Sequence, residues 1–212
     1  TMSAWALLHF FAFLTNLYGA VYVLLRNPRA ALNRIAAATF LCFALWSFGL
    51  ALIRNTGMER ETAVLINNLT SPGWMFFCSL FLTFTLVFAG RARAAMSPWF
   101  FLPAAGIPLF FSALQFNNLI LERFVLQTYG WVGVWAKSAW TDLYLGYYLV
   151  VMGAGLFVVL RARAGSVDPR KRKQALVLVL STLGGITAGT LSSVVLRRLE
   201  IYSVPPLGDV AT

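Results

Sequence analysis

Six long apolar segments dominate this sequence of 212 residues. An α-helix needs roughly 20 predominantly apolar residues to cross the hydrocarbon core of a bilayer. The segments that meet this requirement are residues 3–25, 33–53, 63–89, 98–116, 139–160 and 174–196. Only 11% of the residues are charged and 59% are hydrophobic, whereas soluble domains contain about 25% charged residues. The sequence therefore predicts an all-α membrane protein, folded as one polytopic helical bundle.

The connections between these segments are short, with one exception. Residues 117–138 form a longer connection, in which two β-prone runs at 124–128 and 131–135 flank a Tyr-Gly pair. This pattern predicts a short β-hairpin. The two cysteines, Cys42 and Cys78, lie inside apolar segments without a partner pattern. Neither a disulfide framework nor a zinc site is expected from them.

Charged residues are distributed unevenly between the two alternating sets of connections. One set contains Arg26, Arg29, Arg34, Arg91, Arg93, Arg161, Arg163, Arg170, Lys171, Arg172, Lys173 and the single acid Asp168, and carries the whole net charge of +10. Because Lys and Arg in short loops are retained in the cytoplasm, the N-terminus is predicted to be outside. The run of four basic residues at 170–173 lies between two spans, so topology and anionic membrane lipid explain it better than nucleic acid. No nucleic-acid partner is expected.

Several short motifs resemble one known family. They are "FALWSFGLAL" in the second span, "FTLVFAGRAR" closing the third, "FLPAAGIPLF" in the fourth, "YGWVGVW" in the long connection, "RKRKQALVL" opening the sixth span and "YSVPPLG" near the end. Their order is similar to that in the seven-helix N-terminal sensor region of bacterial histidine kinases. The resemblance implies a multi-pass protein of the bacterial cytoplasmic (inner) membrane, acting in a two-component system.

The resemblance also implies a seventh helix and a cytoplasmic output domain. In the family a proline pair opens the seventh helix, so residues 204–212 would be the start of a truncated seventh helix, with Pro205 and Pro206 in its first turn. The chain contains no phosphoacceptor-histidine segment and no glycine-rich ATP lid, so this region alone is not expected to be an enzyme. Since histidine kinases phosphorylate as dimers, the resemblance implies that the full-length protein forms a homodimer.

The sixth span contains two tracks of small residues at helical spacing. Gly184, Ala188 and Ser192 form one track, and Gly185, Gly189 and Ser193 form a second track beside it. Small residues at this spacing allow close approach of a neighbouring helix. The tracks are interpreted as helix-packing surfaces, and a dimer face or a face that shifts on signalling is the alternative.

Polar residues of the third span follow one helical stripe. Asn67, Ser71, Trp74 and Cys78 are spaced by four, three and four residues. Pro72 frees a backbone carbonyl one turn earlier, which predicts a kink in the outer half of the helix. The stripe either lines a pocket near the outer mouth of the bundle or forms hydrogen bonds to a neighbouring helix.

Aromatic residues concentrate around the long connection and the start of the fifth span. These aromatic residues form either an interfacial aromatic belt or a lid over an outward-facing cavity. Asp142 either lies beside that lid or is a carboxylate in the first turn of a helix, where the helix dipole favours it. The residues predicted to bind a ligand under the second interpretation are Asn67, Trp74, Trp131, Trp140, Asp142 and Tyr144.

The first span offers His9 and Asn16 on one face. As the only histidine, His9 cannot build a metal site; it is either a core histidine or a proton sensor. Asn16 is interpreted as an interhelical hydrogen-bond donor. No lysine lies inside a span to form a retinal Schiff base, and no cofactor or metal is predicted.

Three functional classes are compatible with a protein of this type. A transporter is expected to show internal repeats or charged residues at mid-membrane, and a lipid-modifying membrane enzyme needs a catalytic cluster at membrane depth. The sequence shows none of these features. The favoured hypothesis is a membrane sensor that binds a small apolar or amphipathic ligand on the outer side and passes a change in helix packing to a cytoplasmic domain. A small-molecule transporter and a lipid-modifying enzyme remain the alternatives.

Overall fold

The computed structural model describes residues 3–202, 204 and 208. Its elements are α1 (Ala4–Arg26), α2 (Ala31–Ile53), α3 (Arg60–Phe88), α4 (Ala92–Ala95), α5 (Pro98–Phe116), β1 (Leu121–Gln127), β2 (Gly130–Trp135), α6 (Ala139–Ala164), α7 (Pro169–Thr190), a π-helical turn (Leu191–Val195) and α8 (Leu196–Arg198). Among the described residues, six helices are long and apolar enough to cross a membrane, with α7, the π turn and α8 acting as one. The predicted polytopic helical bundle is confirmed.

Helix α3 is the centre of the bundle. It packs against α2, α5 and α6, while α1 packs on α2 and α7 packs mainly on α6. Two glycines bring α2 and α3 together. A Cβ on Gly73 would lie 2.6 Å from the carbonyl oxygen of Cys42, and a Cβ on Gly49 would collide with Thr70. The backbones of α2 and α3 are therefore in close contact, which accounts for these two glycines in otherwise bulky spans.

The predicted β-hairpin is confirmed. Strands β1 and β2 are antiparallel, with Gln127 opposite Gly130 across a two-residue turn and an irregular register between Leu121 and Arg123. Gly130 has a φ of 114°, and a Cβ there would collide with the backbone of Arg54 at the end of α2. The turn can rest on α2 only because this residue is glycine.

The hairpin and the N-terminus lie at the same end of the bundle, called the hairpin end below. The Ser3 hydroxyl donates to the carbonyl oxygen of Arg54 at 3.0 Å, and the indole Nε1 of Trp131 donates to the carbonyl oxygen of Met58 at 2.8 Å. The opposite end carries the short basic connections. This arrangement matches the alternation of charged connections in the sequence.

Hydrogen bonds bear on the surroundings of Pro72 and on the predicted role of Asn16. Helix α3 continues through Pro72, and the Ser71 hydroxyl donates at 2.8 Å to the Asn68 carbonyl oxygen that the proline leaves without a backbone donor. The prediction that Asn16 bonds to another helix is wrong, because its Nδ2 donates to the carbonyl oxygen of Ala12 in the same helix at 2.9 Å. A short polar side chain in a helix reaches the preceding turn more easily than a neighbouring helix.

Candidate functional site

A cavity of about 330 Å³ runs between α2, α3, α6 and α7 beneath the hairpin. Cavities of about 300–1,000 Å³ are typical of small-molecule sites. Since α7 packs mainly on α6, and α2 packs on α1 and α3, the cavity separates α7 from α2 and α3. Its walls are predominantly apolar and include Phe40, Phe43, Trp46, Phe77, Phe81, Phe84, Met152, Leu178 and Ile186.

Aromatic rings close the cavity at the hairpin end. Trp74 makes edge-to-face contacts with Tyr144 and Trp135, with centroids 5.4 and 6.0 Å apart, and Trp135 stacks on Tyr144 at 6.1 Å. Phe111 of α5 supports Tyr144 from behind at 5.3 Å. The Tyr144 hydroxyl donates to the carbonyl oxygen of Trp74 at 3.2 Å. Rings from α3, α5, α6 and β2 thus form one cluster, in geometries that aromatic pairs prefer.

Trp135 also connects the hairpin to the π turn. Its indole Nε1 donates to the carbonyl oxygen of Ser193 at 2.6 Å, and Ser193 lies in the π-helical turn Leu191–Val195. A π turn changes the pattern of backbone hydrogen bonds along a helix, and such turns are frequent at functional sites. Trp135 therefore joins the end of the sixth span to the aromatic cluster in front of the cavity.

Two arginines line the hairpin end of the cavity. Arg54, 1% exposed, donates to the carbonyl oxygen of Trp131 and lies over the Tyr129 ring at 5.4 Å. Arg197, 3% exposed, donates from Nη2 to the Tyr129 hydroxyl at 3.1 Å and to the Val204 carbonyl oxygen at 2.5 Å. Tyr129, at the turn of the hairpin, lies between the two guanidinium groups. One end of an otherwise apolar cavity is thus positively charged.

A buried amide network fastens the hairpin to the bundle. Gln115 Nε2 donates to Asn68 Oδ1 at 2.7 Å, and Asn68 Nδ2 donates to Asn118 Oδ1 at 3.2 Å. The backbone N–H of Leu121, at the start of β1, donates to Gln115 Oε1 at 2.9 Å. This network joins α3, α5 and β1 and holds the hairpin in position over the cavity.

Three of the residues predicted to bind a ligand line the cavity. Asn67, Trp74 and Tyr144 lie along its wall at the hairpin end. The Nδ2 of Asn67 also donates to Asn68 Oδ1 at 3.4 Å, so the polar stripe of α3 faces both the cavity and the amide network. Asn67 and Trp74 of the stripe line the cavity, while the side chains of Asn67 and Ser71 donate hydrogen bonds within α3 itself.

The other three predicted residues lie away from the cavity wall. Trp131 is anchored to Met58 by its indole hydrogen bond. Trp140 is 42% exposed and packs on Phe110 with centroids 5.7 Å apart. Asp142 forms an exposed ion pair with Arg198 at 2.6 Å. Trp140 has the exposure expected of an interfacial belt residue, and Asp142 fastens α6 to α8.

The two small-residue tracks of the sixth span have different surroundings. Gly185, Gly189 and Ser193 line the cavity. Gly184 is exposed and a Cβ there would meet nothing within 4 Å, Ala188 is half-buried, and the Ser192 hydroxyl donates to the Ala188 carbonyl oxygen at 2.7 Å. The second track therefore provides space for the cavity.

Sequence reasoning missed Arg54, Arg197, Trp135 and Phe111 as site residues. The arginines flank apolar spans and were counted only as loop charges, and burial under the hairpin is a tertiary property. The signal available for Trp135 was its position among the aromatic residues of the long connection. Among residues 3–202, 204 and 208, no group of three His, Cys, Asp or Glu side chains is arranged to hold a metal ion.

Comparison with protein families identifies a match for this chain. The model of the N-terminal 7TM region of histidine kinase matches residues 8–207, nearly the whole chain. No curated protein and no solved structure gives a significant match. The predicted start of a seventh helix covers residues 204–212. Of these, the structure describes only Val204 and Gly208, so this prediction lies outside the described residues. The chain, a polytopic bundle of apolar helices, belongs to the family of N-terminal seven-transmembrane sensor regions of histidine kinases.

Proposed function

We propose that this chain is a ligand-sensing input region whose cavity binds a small apolar or amphipathic molecule. The observation that carries the proposal is the hydrogen bond from Trp135 to Ser193, because it joins the cavity's aromatic wall to the π turn of the sixth span. A ligand beside Trp135 would favour one packing of α7 against α6. A ligand shifts such an equilibrium only through its differential affinity for the two packings.

The charge distribution supports a direction of signalling from the hairpin end to the basic end. The hairpin end has no net charge excess and the other end carries the basic connections, which supports a hairpin end outside the bacterial cytoplasmic membrane and an N-terminus outside. The ligand would enter from the outer side or the outer leaflet. We propose that a seventh helix after residue 204 carries the packing change to a cytoplasmic kinase module in a homodimer.

Two adjacent glycines of α7 offer a matched test of the cavity. Gly185 is buried in the cavity wall, whereas Gly184 is exposed and a Cβ added to it would have nothing within 4 Å. The chain would be purified in nanodiscs, and bound small molecules would be extracted and identified by mass spectrometry. We expect a molecule that is absent from empty nanodiscs to accompany the unsubstituted chain and Gly184→Leu, and to be lost from Gly185→Leu.

Two results would contradict the proposal. One is retention of the same molecule by Gly185→Leu, which would place its binding site outside the cavity. The other is the lack of any bound molecule, combined with unchanged phosphorylation activity of the full-length kinase when Gly185→Leu is introduced.

A further inference from the structure

Arg197 has hydrogen-bonding capacity that the described residues do not use. Its side chain is 3% exposed, and while Nη2 has two acceptors, Nε and Nη1 are buried without a hydrogen-bond partner among those residues. Leaving a buried charged donor unsatisfied is strongly unfavourable, so such groups in native structures call for an explanation. Arg197 lines the cavity.

A second unused donor lies one helical turn before it. The Ser193 hydroxyl is buried and has no hydrogen-bond partner in the described part of the chain, and Ser193 also lines the cavity. Ser193 in the π turn and Arg197 in α8 therefore belong to the same wall of the cavity. The carbonyl oxygen of Ser193, in contrast, is engaged by Trp135.

The described carboxylates nearby already have cationic partners. Asp142 pairs with Arg198 at 2.6 Å, Glu200 with Lys137 at 3.7 Å and Glu122 with Arg123 at 3.9 Å. None of the described acids forms an ion pair with Arg197.

The rest of the cavity is suited to a hydrocarbon chain. Phe77, Phe81, Met152 and Leu178 line it away from the hairpin end. A positively charged end with unused donors and an apolar remainder match a molecule with a negative head and an apolar tail. The volume of about 330 Å³ is at the lower limit for small-molecule sites of about 300–1,000 Å³, which favours a single chain.

We propose that the cavity selects a single-chain anionic amphiphile, such as a medium-chain carboxylate. Its head accepts hydrogen bonds from Arg197 and Ser193, and its chain lies between α2, α3 and α7. This proposal rests on the proposed function, because it names the class of ligand that the same cavity senses.

The test uses two probes that differ only in the head group: a terminally brominated undecanoate and the corresponding brominated undecanol. Bromine quenches tryptophan fluorescence at short range, and Trp46 lines the cavity beside Phe77, in the apolar part that the brominated chain would occupy. The chain is placed in nanodiscs of phosphatidylcholine and titrated with each probe. We expect undecanoate to quench at concentrations at least tenfold below those of undecanol, since charge-assisted hydrogen bonds supply the difference.

The variants separate the head group from the cavity. Arg197→Gln is expected to weaken undecanoate binding by at least tenfold. Ser193→Ala is independently expected to weaken it as well. Both variants are expected to leave undecanol binding unaffected. Arg198→Gln, which removes the same charge from the neighbouring exposed residue, is the matched control and is expected to bind undecanoate normally. If Arg197→Gln does not fold, Ser193→Ala and the comparison of the two probes test the proposal without it.

Each contrary outcome has a distinct meaning. Equal binding of the two probes, or equal losses in the Arg197 and Arg198 variants, would overturn the anionic head group while leaving the proposed function intact. Displacement of undecanoate by phosphatidylglycerol added to the nanodiscs would make bulk lipid the occupant and overturn the single-chain ligand. Quenching that is unchanged in Gly185→Leu would show that the probes act outside the cavity and would overturn the anionic amphiphile, whereas the proposed function is tested separately by the molecule that accompanies the purified chain.

Discussion

Replacing Trp135 by phenylalanine tests the link between the hairpin and the sixth span. Phenylalanine keeps an aromatic ring against Trp74 and Tyr144, whose centroids lie 6.0 and 6.1 Å from that of Trp135. It removes the indole N–H that donates to the Ser193 carbonyl oxygen at 2.6 Å. The main consequence of Trp135→Phe is therefore the loss of one hydrogen bond between two elements that are far apart in sequence.

The size of the effect follows from that bond. A net hydrogen bond contributes about 1 kcal/mol to stability, and a carbonyl left without a partner raises the loss to about 2 kcal/mol. For a protein of about 150–250 residues, 1 kcal/mol corresponds to a shift in Tm of roughly 2–4 °C. We expect Trp135→Phe to lower the Tm by about 2–8 °C.

The measurement is thermal unfolding of the purified chain in nanodiscs, followed by circular dichroism. Trp140→Phe is the matched control, because Trp140 is 42% exposed and packs on Phe110. Its Tm is expected to change by less than that of Trp135→Phe. The reasoning would be refuted if both variants lost the same stability, or if Trp135→Phe unfolded at the temperature of the unsubstituted chain.

Two glycines give further predictions that depend on close backbone contacts. Gly73→Ala places a methyl group 2.6 Å from the Cys42 carbonyl oxygen, and overpacking is expected to lower the free energy of unfolding by about 1–3 kcal/mol. Gly153→Ala is the control, because a Cβ at Gly153 would have nothing within 4 Å. Equal unfolding midpoints in the two variants would contradict the α2–α3 contact. Gly130→Ala places a methyl group against the backbone of Arg54 at a φ of 114° and is expected to detach the hairpin turn from α2. Faster hydrogen exchange confined to residues 121–135 would be the sign of that detachment, and unchanged exchange would contradict it.

The architecture was predictable because it depends on local properties. Span length and apolarity are set residue by residue, since lipid leaves the backbone no partner except its own helix. The hairpin was predictable from two β-prone runs around Tyr129 and Gly130. Helical spacing also indicated that Asn67 and Trp74 share a face, and both line the cavity.

The candidate site was only partly predictable, because it depends on contacts between distant segments. Trp131, Trp140 and Asp142 lie close to Trp135 in sequence, yet their partners are Met58, Phe110 and Arg198. Proximity in sequence places an aromatic residue near the membrane surface but does not decide which wall it faces. The direction that each ring takes depends on how the hairpin rests on α2, α3 and α5.

The sequence by itself determined that, among the residues the structure describes, six helices are long and apolar enough to cross a membrane, and the charge of the connections favours one orientation. It also showed the family resemblance that the match over residues 8–207 confirms. Only the tertiary structure decided that Arg54 and Arg197 are buried at the end of an apolar cavity. The physical reason is that hydropathy is a property of each segment, whereas burial of a charge depends on which segments fold over it. Residues 54, 129 and 197 become neighbours only when the hairpin closes over the bundle.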